Sequence, residues 1–351
     1  MKIFVRHIVT LLLTAALVSC SKEQAPRKVL SIAFGPQSES QVESKSMGED
    51  VVCSTTDKMK SAPFGIYGTY GKEPGKYSQG SGNTNVFTTS AAVSVAHNGT
   101  WEYDPLAYWS FNDWYRFRAY HPYSGKAFTV LPASNVDLIS VDYKVVNGSE
   151  DLMVAFWKGQ ATEDVISKRV PMEFKHCLSG LKINVGLTDD SSTDKITELY
   201  VKGIIPNGTM LYTFETPASG ETSGETDYDT AVIKWVAETF DPSTEYYKWN
   251  GSKDIKNVTS PEGVTAVFDG GENMVFTIPQ TCSGTKGDTM VYFKTEKGRD
   301  AVQSVKLPTT EWLPGHIYTY TLLMAPTSKI EVLISIKDWE GVEINEDIYI
   351  Q

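Results

Sequence analysis

Alternation with a period of two runs through almost every apolar segment of this chain, and it constrains the fold more than any other feature. "VLSIAF" puts Leu30, Ile32 and Phe34 on one side. "AVSVAHNGTWEYD" reads as strand, Asn98-Gly99 turn, strand, and "ISVDYKVVNGSEDLMVAF" repeats the pattern around Asn147-Gly148. "LYVKGIIPNGTMLYTFE" does so again around Asn207-Gly208. Asn-Gly accepts positive φ at both central positions, as a two-residue hairpin turn of type I′ requires. "VFDGGENMVFTIPQ" and "MVYFKTEKGRDAVQSVKLP" read as hairpins with looser turns. Helix signals are few, with "STDKITELYV" the one stretch expected to open as a helical turn. Many short strands at turn-punctuated spacing predict an all-β chain built from β-sandwiches.

The closing "WEGVEINEDIYIQ" carries the same signature to the end. Val342, Ile344, Ile348 and Ile350 share one face, interrupted by Glu346. Chain ends fray unless tied down. An amphipathic strand here therefore buries its aliphatic row either in its own sandwich or against another chain.

The beginning is of a different kind. Lys2 and Arg6 precede the apolar run "IVTLLLTAALV" at residues 8–18, too short to span a bilayer and suited to a signal peptide. It ends in "LVSC", which resembles the lipobox of bacterial lipoproteins, so Cys20 is the expected lipid attachment site and residues 1–19 the removed leader. Several acyl chains on one residue hold a protein stably on a membrane. Residues 20–28 then form a tether.

The chain has 351 residues, enough for two domains, and a formal net charge of −11. An acidic chain without basic runs is a poor nucleic-acid ligand. Residues 159–168, "GQATEDVISK", are the polar stretch expected to separate an N-terminal sandwich at 29–165 from a C-terminal one at 166–351, whose terminal strand is 342–350. Residues 70–85 and 216–230, rich in Gly, Ser, Thr and charge, read as long loops. Beyond Cys20, Cys53, Cys177 and Cys282 are an odd set that cannot all pair. Cys177 and Cys282 lie in strand-like contexts suited to buried thiols.

Enzyme signatures are missing. There is no H-E-x-x-H, G-x-S-x-G, P-loop or C-x-x-C. His97, His121, His176 and His316 are scattered, and none has a partner at ligand spacing. "DDSSTD" at 189–194 offers oxygen ligands but lacks the Gly and terminal Glu of a calcium loop, so it reads as a polar turn. Nothing implies a metal or a cofactor. The aromatic run "WSFNDWYRFRAYHPYS" has two readings. Most of it suits a core. If Trp109, Trp114 and Tyr115 instead stand exposed on one face, they form a sugar-stacking platform, as in a glycan-binding lipoprotein of a polysaccharide-uptake system.

Taken in order, these motifs form a pattern: the lipobox, Ile32 and Phe34, "RFRAYHPYS", "VPMEFKHCLSGLKINV", "FTIPQ", "WLPGHIYTYTLLM" and "ISIKDWE". Phe174, His176, Leu178 and Ser179 weigh most, with the Trp312, Gly315, Tyr318, Tyr320 run. The pattern resembles the fimbrillin-like proteins of Bacteroidales, the family of the type V pilins. The resemblance implies two tandem transthyretin-like (Greek-key) β-sandwiches, export as a lipoprotein, and a non-enzymatic surface role in a fimbrium for adhesion or biofilm formation. It also implies strand addition. A protease removes the lipid and first strand, here carrying Leu30, Ile32 and Phe34. The opened groove then takes a C-terminal strand from a neighbouring subunit, here Val342, Ile344, Ile348 and Ile350. Each donor aliphatic contributes at most about 1.5–3 kcal/mol if fully buried. The implied partners are other pilus subunits, the outer membrane through the lipid, and a host or bacterial surface receptor. Arg27 and Lys45 are the candidate cutting sites. No arginine lies between Arg27 and Arg116, so an arginine-specific cut would free the lipid and leave the strand in place. A lipid-retaining anchor or a tip subunit fits these residues as well as a processed stalk subunit.

Overall fold

The computed structural model describes residues 30–36, 59–72, 84–88, 91–131, 137–145, 150–189, 193–214, 231–259, 263–268, 274–298, 301–325, 329–338 and 343–350, the last by backbone pairing. Cys20, Arg27, Lys45, Cys53 and Val342 lie outside the described residues. The first half runs β1 (Phe34–Pro36), β2 (Phe64–Gly71), β3 (Thr84–Asn85), β4 (Val93–His97), β5 (Trp101–Glu102), β6 (Trp114–His121), β7 (Phe128–Val130), β8 (Asp137–Lys144) and β9 (Met153–Gln160). A short helix α1 (Glu163–Ile166) follows, then β10 (Val170–Met172) and β11 (Lys175–His176). The second half continues through β12 (Ser179–Leu187), β13 (Lys195–Lys202), β14 (Asn207–Phe214), β15 (Ala231–Ala237), β16 (Tyr246–Asp254), β17 (Thr265–Ala266) and β18 (Val275–Thr277). It ends with β19 (Gln280–Cys282), β20 (Met290–Thr295), β21 (Gln303–Lys306), β22 (Thr310–Trp312), β23 (His316–Met324), β24 (Ile330–Asp338) and β25 (Glu343–Ile350). The chain is all-β, as the alternation predicts.

Among the described residues, buried side chains fall into two clusters. The first gathers Phe64 and Ile66 of β2, Val95 of β4, Tyr115, Phe117 and Ala119 of β6, and Met153 and Ala155 of β9. These strands belong to one sheet, ordered β11-β9-β6-β2-β4-β5 with β3 on β2. Along β6 the period of two is literal: Tyr115, Phe117 and Ala119 are buried while Arg116 and Arg118 between them are partly exposed. The second cluster lies among three sheets, β17-β12-β23-β24-β25, β16-β13-β20-β21 and β15-β14-β8-β7. Leu181, Ile183 and Val185 of β12 meet Tyr318, Tyr320 and Leu322 of the parallel neighbour β23.

The hairpin β7–β8 precedes residue 165 yet pairs with β14 and contributes Ile139, Val141 and Tyr143 to the second cluster. Two hairpins expected at Asn-Gly accordingly do not form, Asn147 and Gly148 themselves lying outside the described residues. β8 and β9 flank Asn147-Gly148 but enter different sheets. Asn207 and Gly208 open β14, between Lys144 and Tyr143 of β8 on one side and β15 on the other. A Cβ at Gly208 would sit 3.0 Å from the Val236 carbonyl. Its glycine serves a close strand approach rather than a turn. The helical turn expected in "STDKITELYV" is replaced by strand β13. Asn98-Gly99 does turn between the paired β4 and β5, with Gly99 at φ 80°, and β20–β21 is a hairpin.

The two heaviest motif fragments meet in space. Ser179 Oγ donates to the Leu313 carbonyl at 2.8 Å, and Gly315 N–H donates to the Leu178 carbonyl at 2.9 Å. Trp312, 1% exposed, donates its indole N–H to the Tyr320 hydroxyl at 2.9 Å. Cys177 and Cys282 are buried free thiols. Burial pushes both thiols up, Cys177 well above its ordinary value and Cys282 to about 11, so neither is a nucleophile at neutral pH.

Candidate functional site

Residues 30–36 lie in a groove with backbone bonds on both sides. On one side Ile32 N–H donates to the Ala107 carbonyl at 2.9 Å and Trp109 N–H to the Leu30 carbonyl at 3.1 Å. On the other, Val170 N–H donates to the Ala33 carbonyl at 2.8 Å, and β1 runs parallel to β10 with Phe34 opposite Val170. The Tyr103 hydroxyl donates to the Ile32 carbonyl at 2.8 Å. Leu30, Ile32 and Phe34 all face the first cluster, Ile32 and Phe34 each 1% exposed. The Phe34 ring meets Phe117 edge-on at 4.8 Å between centroids, with Tyr103 at 5.3 Å and Phe87 at 6.3 Å. The segment is thus a plug in the first core. The groove walls, residues 107–109 and Val170–Met172, lie in or beside motifs noted in the sequence, but nothing in those motifs signals their pairing with residues 30–36. Both partners are far away along the chain, and parallel pairing leaves no local turn signature.

At the other end, β25 pairs antiparallel with β24 as the outer strand of its sheet among the described residues. Ile348 stands opposite Leu333 and Ile350 opposite Glu331. Tyr349, Asp347 and Asn345 stand opposite Val332, Ile334 and Ile336. Val332 and Ile334 belong to the second core. Directly opposed residues of an antiparallel pair share a face, so Ile348 and Ile350 occupy the register positions that alternate away from the core. The register shifts between Ile336 and Lys337, at the position of Ile344.

The aromatic run forms no exposed platform. Trp109 is 8% and Tyr115 1% exposed, and Trp114 is half-buried. Trp109 meets Tyr115, Phe117 and Trp157 edge-to-face at 4.6, 6.1 and 6.3 Å. Only Tyr123, at the end of the run, is a large exposed ring. His176, His316 and His97 each have a structural partner. His176 Nδ1 lies 2.8 Å from Asp151 Oδ2 in a buried pair, His316 Nδ1 donates to the Pro314 carbonyl at 2.9 Å, and His97 packs edge-on to Trp101. In "DDSSTD" residues 190–192 lie outside the described residues. Asp194 accepts from the backbone N–H groups of Lys195 and Lys297, as a turn aspartate does. Among the described residues no group of three His, Cys, Asp or Glu converges at metal-holding geometry.

Residues 53–339 match the model of the fimbrillin-like family. This chain belongs to that family. Fimbrillin-like proteins are a family of fimbrial structural proteins, not an enzyme class. The fimbrillin-like chain is similar to a fimbrial protein of Bacteroides vulgatus, with 17% identity, 88% of this chain and 99% of that one covered, and a TM-score of 0.56. It is also similar to a candidate cell adhesion protein of Bacteroides uniformis, at 13% identity, 90% and 100% coverage and a TM-score of 0.47. A fimbrial assembly protein of Parabacteroides distasonis matches at 9% identity, 86% and 96% coverage and a TM-score of 0.37. No curated protein matches. The matched span stops short of both β1 and β25.

Proposed function

We propose that this fimbrillin-like chain is a pilus subunit or pilus-associated lipoprotein, joined to neighbouring subunits by strand addition and serving adhesion or biofilm formation. The observation that carries the reading is the plug. Residues 30–36 lie at the chain's start, are bonded on both edges, and fill the first core with Ile32 and Phe34. Removing such a segment leaves two unpaired backbone edges and an apolar slot, which an incoming strand with alternating aliphatics would satisfy. The terminal strand fits the role of donor. In its own sheet it pairs Ile348 with Leu333 and Ile350 with Glu331, rather than with the core residues Val332 and Ile334. A shift of one residue, or a different groove, exchanges the two faces.

Lipid on Cys20 would hold the protein at the outer membrane, with Arg27 or Lys45 the point at which it is cut free. The body then consists of two tandem sandwiches, one per buried cluster, with β7–β8 assigned to the second. The deciding experiment is analysis of the N-terminus of protein recovered from the cell surface. A start between residues 35 and 60 means an opened groove and a polymerising subunit. A blocked, acylated Cys20 means an anchor. A start at Lys28 would mean that the lipid is lost while the plug stays, which overturns strand addition into this groove, and a free, unmodified start at or before residue 20 would overturn the lipid anchor.

A further inference from the structure

Beside the second core, β13, β20 and the segments next to them enclose an open cavity of about 830 Å³. Phe240, Met290 and Tyr292 give it apolar walls, and Lys202, Lys286, Glu238 and Asp288 supply polar ends. A second cavity, about 770 Å³, shares Phe240 and Thr239 with it. Strand addition uses neither cavity.

The walls are built in place. Gly203 and Gly287 have φ of 78° and 150°. A Cβ on Gly287 would run into the Phe240 ring, and one on Gly203 into the Asp288 carbonyl. The glycines therefore let the ring and the 284–288 turn close on each other. That turn is pinned by buried hydroxyls. Thr289 Oγ1 donates to the Gly203 carbonyl at 2.8 Å, and Thr289 N–H donates to Ser283 Oγ at 3.0 Å. Asp241, next to Phe240, accepts from Ser243 N–H and the Tyr246 hydroxyl, both at 2.8 Å. Tyr292 stacks on Tyr200 at 5.1 Å and 9° between planes, which fixes its ring. Walls ordered before binding spare a ligand the entropy of ordering them.

The charges decide what fits. Two ammonium groups and two carboxylates line the cavity, and they are partly committed already: Asp288 lies 2.6 Å from Lys306, and Lys202 3.7 Å from Glu245. A charged ligand meets no net field of opposite sign. A neutral polyol suits the cavity instead, because its hydroxyls accept from ammonium and donate to carboxylate while its C–H face lies on aromatic rings. The volume falls within the range of small-molecule pockets.

We propose that this cavity is a binding site for a neutral sugar of about disaccharide size, the ligand-recognising part of a fimbrial protein. The test is saturation-transfer NMR on the chain from residue 21 onward, with lactose, cellobiose and N,N′-diacetylchitobiose as probes and sialyllactose as the charged comparator. At least one neutral probe should receive saturation. Phe240→Ala should weaken its binding about tenfold, the upper end of what a stacked ring contributes. Lys286→Ala, an exposed rim residue, should weaken binding while leaving the fold intact, and it decides the matter if Phe240→Ala unfolds. Absence of transfer to every neutral probe would overturn the proposal. So would binding unchanged by both substitutions, or stronger binding of the charged comparator. The measurement uses unassembled protein, so its failure leaves strand addition standing, and a failure of strand addition leaves this site standing.

Discussion

Phe34 shows at the scale of one residue what the plug contributes. Its ring lies among Phe87, Tyr103 and Phe117 with 1% exposure. Phe34→Ala should lower unfolding stability by about 3–5 kcal/mol, the usual cost of emptying a buried aromatic site. Leu106→Ala, at 53% exposure, should change it by less than about 0.5 kcal/mol. Urea unfolding of both variants checks this, and equal midpoints would mean that the plug is not part of the core. Asp241 sets a pH dependence. Hydrogen bonds from Thr244, Ser243 and Tyr246 hold its carboxyl well below the usual carboxylate range. A carboxyl depressed on folding stabilises the native state above its unfolded pKa of about 3.9, and that contribution is lost as pH falls through the folded value. Asp241→Asn should therefore lower Tm at pH 7, with the gap to the parent narrowing as pH falls below about 4. A gap that stays constant with pH would show that the carboxylate charge is immaterial. Burial of Trp109 and Tyr115 was legible in outline, since aromatic runs seldom stand in water. The Phe240 cavity was not, because its walls come from segments with no common motif.

At the scale of elements, alternation located the strands, and turn chemistry located fewer of their connections. Asn98-Gly99 closes a hairpin. Gly208 lies within β14, where a side chain would crowd the neighbouring strand. Residue type cannot separate these cases, because absence of a Cβ serves a positive φ and a close approach equally. The last element follows the same logic. "GVEINEDIYI" announces a half-buried strand, and β25 exists. Its register with β24 is set by backbone pairing and puts Ile348 opposite Leu333 and Ile350 opposite Glu331. Deleting residues 342–351 should leave the body folded, with circular dichroism and Tm close to the parent, while abolishing polymers on gel filtration or electron microscopy. Unfolding of the truncated body would make β25 an integral internal strand and sink the donor reading.

At the scale of the whole molecule, the buried residues among those described form two clusters, yet the path between them is not a single crossing. The chain enters the second cluster at β7–β8, returns to the first sheet in β9, and leaves again after β11. The polar stretch at 159–168 marks the end of β9 and the helix α1, so polarity there reports a surface segment. The all-β class, the family's motif order and the amphipathic nature of both ends were determined by the sequence alone, since side-chain period is a local property of the strand. The tertiary structure decided which strands pair, that Ile32 and Phe34 plug a groove between residues 107–109 and Val170–Met172, and in what register β25 joins β24. Those outcomes depend on backbone hydrogen bonds and packing between segments far apart in the chain, and a local pattern of apolar and polar residues carries no record of its partner.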